Sequence, residues 1–155
     1  MRFFLAGIMQ GSLTSNGMHG QGYRQRFAQL LAEKFPQAEI YDPLAAHRNS
    51  LEYDKMTGCD VFFHHNRMCR EVDVLVAFVP EASMGTAIEM WEAHQNGAVI
   101  LTISPMKQNW TIKFLSQALF ANEAEFAAAL EDGAISRLIV DAKQPLAVSR
   151  PIENS

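Results

Sequence analysis

Cysteine is scarce in this chain: two residues, Cys59 and Cys69, out of 155. That is too few for a disulfide framework, and neither sits in a familiar metal-ligand spacing, so a reduced, cytoplasmic protein is the expectation. Long apolar runs are missing as well. None approaches the roughly 20 residues that a bilayer-crossing helix needs, so no membrane role is expected. The opening Met1–Ile8 lacks the longer apolar stretch and small-residue cleavage site of a secretion signal, and reads as a first strand. Basic clusters are lacking too: 13 Lys and Arg against 17 Asp and Glu leave a net charge of −4. Without a basic stripe to displace counterions, a nucleic acid polymer is excluded as a partner, whereas a small anionic ligand is not. No repeat, low-complexity tract or linker interrupts the chain.

What is present suits one compact domain. Hydrophobic residues make up 48% and charged residues 19%, enough apolar material for a core. Strand-like runs are expected at Arg2–Ile8, Ala38–Tyr41, Asp73–Val79 and Ala98–Ser104. Helical spacing is expected at Tyr23–Phe35, Val61–Val72, Met84–Asn96 and Glu123–Leu130. Ser83 reads as a helix cap and Gly97 as a helix end. Ile88 and Trp91 read as core positions facing the sheet. The stretch 45–58 and the segment after Pro105 show no clean period, and neither does the tail after about Asp141, with Pro145 and Pro151.

Alternation of strand and helix predicts an α/β fold, a flavodoxin-like doubly wound sheet of about five parallel strands with helices on both faces. In such a sheet the C-terminal strand ends share one edge, where ligands bind at the topological switch point. Three polar segments gather there: the Gly7–Gly22 loop, the Asp42–Arg48 turn, and Val79–Glu89. In the last, a buried strand empties into Pro80-Glu81-Ala82-Ser83-Met84-Gly85-Thr86 before a helix begins. Free N–H groups and the positive dipole end at a helix start favour an anion. Ser83 and Thr86 add hydroxyls, and Gly85 permits close backbone approach. Glu89, about one turn in, is expected to stay ionised in that field and to suit covalent attack on a sugar carbon. A first-turn Glu is also common for dipole reasons alone.

The run from Asp73 to Ala93 resembles the signature of the nucleoside 2-deoxyribosyltransferase-like superfamily. It is most similar to the nucleotide N-hydrolase branch, the 2′-deoxynucleoside 5′-phosphate N-hydrolases and the cytidine monophosphate hydrolases. Those enzymes end this strand in a Pro-x-Ser-x-Gly-like turn and carry a nucleophilic Glu six residues after the Ser. The resemblance therefore implies Glu89 as nucleophile and Ser83, with Gly85, as the holder of a 5′-phosphate. Ala46-His47-Arg48 and Phe3-Phe4-Leu5-Ala6-Gly7 are further local matches, which add Gly7, His47 and Arg48 as ligand-binding candidates. The likeness spans residues 2 to 104.

Departures from the family pattern carry their own expectations. His65 stands where the family places a proton-transferring Asp; it, or Asn66 beside it, is expected to help the base leave. Met9-Gln10 stands where the hydrolases carry a phosphate-holding Arg, so Gln10 lines the site without charge, unless Arg24, Arg48 or Lys113 substitutes. Phe3 replaces a Tyr. In the family a neighbouring subunit completes the active site, implying a homodimer or larger, with Asn109, Trp110 and Lys113 as candidate contributors. The expected substrate is a small nucleoside or nucleotide, and no metal or organic cofactor is implied. Hydrolysis of the N-glycosidic bond is the favoured reaction; base exchange between nucleosides and a nucleotide sensor without chemistry are the alternatives.

Overall fold

Five short strands alternate with helices in the computed structural model, which describes residues 1–142 except 12, 15 and 16. The strands are β1 (Arg2–Gly7), β2 (Glu39–Tyr41), β3 (Val74–Phe78), β4 (Val99–Ile103) and β5 (Ala118–Phe120). They form one all-parallel sheet in the order β2-β1-β3-β4-β5, the doubly wound arrangement expected. Helices α1 (Gly22–Lys34), α6 (Glu123–Glu131) and α7 (Ala134–Ala142) bury one face. Helices α3 (Lys55–Cys69), α4 (Met84–Gln95) and α5 (Trp110–Leu115) bury the other. A short α2 (Pro43–Ala46) and a 3₁₀ turn at Ser50–Glu52 connect β2 to α3.

The central strands are apolar at nearly every position because both faces are covered. The strand period of two sends Phe3, Leu5, Val74, Val76, Val99 and Leu101 to the α1 side. Phe4, Ala6, Leu75, Ala77 and Ile100 go to the α4 side. On α1, Tyr23, Phe27 and Leu31 recur every four residues and bury against the sheet. Phe27 packs its ring, tilted or edge-on, against three partners, with centroids at 5.7 Å from Tyr23, 5.7 Å from Phe78 and 5.1 Å from Phe126.

Caps set several boundaries. Helix α3 begins at Lys55 rather than Val61, because the Asp54 carboxylate accepts from the Thr57 N–H at 2.7 Å and opens the helix there. Asn109 caps α5 and Ser83 caps α4 in the same way, and Gly97 follows α4 with φ +78°. The segment without clean period after Pro105 contains both α5 and the three-residue edge strand β5. One reading of the pattern is corrected. Ile88 and Trp91 are exposed; the core face of α4 is Thr86, Met90 and Ala93 instead. Both faces of that helix carry large apolar side chains, so periodicity alone picks the wrong one. The tail after Asp141, beyond Ala142, lies outside the described residues. Among the described residues no helix is long and apolar enough to cross a membrane.

Because β2 and β3 lie on opposite sides of β1, the switch point falls between the ends of β1 and β3. The chain leaving β1 at Gly7 and the chain leaving β3 at Val79 diverge there and leave a cleft. Replacing the buried Phe27 by Ala should cost about 3–5 kcal/mol of unfolding free energy, read by urea titration, since the hole opens between α1, α6 and the sheet. A cost below about 1 kcal/mol would mean this junction is not packed as described.

Candidate active site

The cleft at the switch point is a cavity of about 300 Å³. The β1 end supplies Gly7, Met9, Gln10 and Gly11; α3 supplies Phe62, His65 and Asn66; the start of α4 supplies Ser83, Met84, Gly85, Thr86 and Glu89. Seven of the residues expected to act on a ligand (Glu89, His65, Asn66, Gly7, Gln10, Ser83 and Gly85) are thus brought to one wall-to-wall space. Three are not. Arg48 lines a separate hollow with Gln21 and Asp42. Asn109 lines a neighbouring hollow that shares Ser83 and Met84 with the cavity, and its carboxamide accepts from the Ile112 N–H as a cap. His47 stands behind His65, ring centroids 5.2 Å apart, with Nδ1 at 3.1 Å from the Tyr53 hydroxyl.

Each wall is held by its own local structure. Ser83 Oγ accepts from the Thr86 N–H at 3.4 Å and lies 3.0 Å from the Thr86 hydroxyl, so the α4 start is capped from within. A Cβ on Gly85 would meet nothing within 4 Å, so the backbone there borders open space. At Gly7 a Cβ would collide with the Tyr23 hydroxyl, which makes glycine obligatory at the end of β1. Gly11 turns with φ +56° to bring the loop back over the cavity.

Arg24 anchors the floor. Its guanidinium is buried and donates to the Leu5 carbonyl at 2.8 Å, the Gly7 carbonyl at 3.1 Å, Gln21 Oε1 at 2.8 Å and Asp42 Oδ1 at 3.1 Å. With four of its five N–H groups engaged and no place on the cavity wall, it is a structural cation rather than a substitute phosphate holder. Lys113 lies over the Phe114 ring on α5, outside the cavity. Among the described residues the cavity wall contains no Lys or Arg.

Among the described residues Glu89 is the one carboxyl of the cavity wall. Burial pushes its carboxyl up to about 7, opposed by the positive charge of Arg24. This corrects the expectation of an easily ionised group at a helix start: desolvation on the cavity wall is the largest influence on the carboxyl. His65 moves the opposite way, down to about 4, from burial first and then from the charges of His47, His64 and Arg24. It is neutral throughout the physiological range, and its Nε2 lies 3.1 Å from the Tyr41 hydroxyl. Whatever part it takes is that of a neutral hydrogen-bonding ring. Asn66 donates to the Phe62 carbonyl at 2.9 Å, and its buried Oδ1 has no partner among the described residues.

Three side chains of the site were not singled out beforehand. Phe62 presents an aromatic wall, one helical turn from Asn66, a spacing visible once α3 is known to start at Lys55. Tyr23 has its hydroxyl pushed up by burial and by the nearby charges of Asp42 and Glu89, so the phenol stays protonated beside the cavity floor. Tyr41 orients His65. Phe3, where relatives place a Tyr, is packed against Phe35 in the α1-side core and does not line the cavity. Among the described residues no group of three or more His, Cys, Asp or Glu is placed to hold a metal ion.

No protein-family model matches the chain, and no curated protein does. Solved structures do. A 2-deoxyribosyltransferase from Bacillus psychrosaccharolyticus superposes with a TM-score of 0.62 at 16% identity, over 84% of this chain and 96% of its own. BlsM superposes with a TM-score of 0.64 at 20% identity, over 96% and 97%. The CMP N-glycosidase BcmB of Clostridium botulinum gives 0.51 at 20% identity, over 84% and 98%. All three are of the nucleoside 2-deoxyribosyltransferase-like superfamily, and this chain has their fold, the one its motifs resemble.

The raised Glu89 carboxyl has a consequence for stability. Its folded value lies above the ordinary 4.5, so the folded state holds the proton more tightly, and stability falls as pH rises from about 4.5 through about 7. Discounted for solvent reaching through the cavity mouth, the loss is about 1–3 kcal/mol. Glu89→Gln removes the titration, so the variant should match wild type near pH 5 and exceed it at pH 8, by thermal melts at both. A gap that does not change with pH would contradict the burial of this carboxyl.

Proposed function

We propose that this protein hydrolyses the N-glycosidic bond of a nucleoside or nucleoside 5′-monophosphate, with Glu89 as nucleophile. The observation that carries the reading is the position of Glu89: a lone carboxyl in a cavity at the C-terminal edge of a doubly wound sheet, faced by neutral groups. As the carboxylate, it attacks the anomeric carbon while the base leaves, through a transition state with positive charge spread over the sugar ring. With no cation on the wall among the described residues, Glu89 is the counter-charge to that developing cation. Water then releases the sugar from Glu89. Phe62, His65 and Asn66 on α3 form the side against which the base lies, and the α4 start receives the 5′ end of the sugar.

The fold neighbours, a 2-deoxyribosyltransferase and a CMP N-glycosidase, support glycosyl chemistry on nucleosides. Between the two 5′ ends, the absence of Lys and Arg from the described wall favours the uncharged hydroxyl, while Ser83 and the free N–H groups of α4 suit either. A homodimer or larger assembly that shares the site is part of this reading, on the family resemblance.

Free-base release from a panel of nucleosides and 5′-monophosphates, followed by chromatography, is the test. Wild type should release base from one class, and Glu89→Ala should lose about 1,000-fold or more. A requirement for a second base would turn the reaction into transfer. Binding without release from any of them would make the protein a nucleotide sensor.

A pH profile adds an independent check. Attack needs the carboxylate, so kcat/KM should rise with pH to a limb near 7 and stay level above it. His65, neutral from about 4 upward, should add no second limb in that range. A limb near 4.5 with none near 7 would mean that burial does not hold the Glu89 carboxyl up in the free enzyme.

A further inference from the structure

A second hollow, of about 190 Å³, adjoins the Glu89 cavity and shares Ser83 and Met84 with it. Where the cavity faces the β1 end and α3, this hollow faces the chain between β4 and α5. Val79, Met84, Met90, Met106 and Ile112 make its lining apolar. Its polar members are Ser83, Asn109 and Thr111. Of these, Ser83 Oγ and Asn109 Oδ1 are taken up in capping α4 and α5. Among the described residues no Lys, Arg, Asp or Glu lines it.

We propose that this hollow receives the 5′ substituent of the substrate, and that the substituent is an uncharged alkyl or alkylthio group on the 5′ carbon. The proposal rests on the reading above in one respect, that the α4 start receives the 5′ end of the sugar. Continuity favours it. Ser83 and Met84 belong to both spaces, so a group that extends from a sugar beside Glu89 past the α4 start enters the hollow. Met84 is exposed there, and its unbranched side chain adjusts to what passes. Charge decides among the 5′ groups. A phosphate on this route would meet thioethers and methyl groups with no cation on either described wall, which is costly. A hydroxyl leaves the apolar lining in contact with water. An alkyl or alkylthio chain removes that lining from water and is rewarded for each methylene it buries. Size agrees. An apolar cavity of roughly 150 Å³ takes up benzene, so about 190 Å³ admits a chain of a few heavy atoms. Three methionines give this wall the adaptability that a chain of variable length requires.

Binding to Glu89→Gln, which lacks the nucleophile, separates recognition from chemistry. Titration calorimetry would compare each parent nucleoside with its 5′-monophosphate and its 5′-deoxy-5′-methylthio and 5′-deoxy-5′-propylthio derivatives. For at least one base the propylthio compound should bind about tenfold or more tighter than the parent, since each buried methylene is worth about fourfold. The methylthio compound should fall between them and the monophosphate should bind weakest. Ala87 lines the hollow and lies outside the Glu89 cavity wall. Adding Ala87→Leu should therefore bring the propylthio affinity back to that of the parent nucleoside. If that variant fails to fold, the ligand series on Glu89→Gln decides by itself. Affinity indifferent to the 5′ group, as when a segment of another chain fills the hollow, overturns the proposal. So does tightest binding by the monophosphate, or a propylthio preference that survives in folded Ala87→Leu. The preference without base release by wild type would sink the glycosidase reading alone. Base release without the preference would sink this proposal alone, and no binding by any compound overturns both.

Discussion

The buried guanidinium of Arg24 is the constraint on which the site depends. A charge without solvent is costly unless each N–H finds a partner, and a pair broken on one side leaves the other stranded. Arg24 resolves this by binding two carbonyls of β1, Leu5 and Gly7, together with Asp42 at the end of β2. The same Asp42 oxygen accepts from the Leu44 N–H and starts α2. One side chain thereby ties α1 to the C-terminal ends of the two strands on one side of the switch point. Because β1 pairs with β3 from Phe3↔Val74 to Gly7↔Phe78, fixing its end also fixes where β3 delivers the chain to α4. The cleft is bordered by a clamp that lies outside it.

Arg24 acts on Glu89 through its field alone. It supplies the one opposing influence on a carboxyl that burial drives toward the neutral form. Its own hydrogen bonds go to Leu5, Gly7, Gln21 and Asp42, so the charge favours the carboxylate without pairing with it, which agrees with the proposed role of Glu89 as nucleophile. Around the cavity the other polar groups are neutral: a histidine driven below its working range, an amide, hydroxyls and a phenol kept protonated. A wall of this kind leaves the carboxylate as the dominant electrostatic feature. That suits a reaction whose charge develops as a cation on the sugar.

The layers of the fold were legible because apolar strands bounded by Gly, Pro and capping residues are a local signal. Ser83, Glu89 and the rim they occupy followed from the switch-point rule. What was not legible depends on contacts distant in sequence. Arg24 sits in α1 among polar residues and reads as a cation that could hold phosphate; its burial comes from carbonyls of β1, and nothing in its neighbourhood announces them. The start of α3 was hidden because its first turn is polar and contains Gly58, so the Asp54 cap outweighs the weak periodicity there. Strand β5 is three half-buried residues on the sheet edge, too short for alternation to show. The direction of the Glu89 shift was misjudged for the same reason as Ile88 and Trp91. Both follow from the rotation of α4 about its axis, which the sequence leaves open when both sides are apolar.

That ambiguity in α4 has a physical meaning of its own. A helix on the surface of a lone domain ordinarily has one apolar stripe and one polar one. In α4 the inner stripe, Thr86, Met90 and Ala93, is accounted for by β3 and β4. The outer one, Met84, Ile88 and Trp91, is exposed, with His94 stacked on Trp91 at its end. Between the two stripes lies Glu89, directed inward and partly covered. A helix with this pattern is at home only with apolar surface on both sides, which makes its helical period uninformative as a guide to the core. The same geometry places Glu89, the proposed nucleophile, at the boundary between the domain's own core and the exposed apolar face of α4.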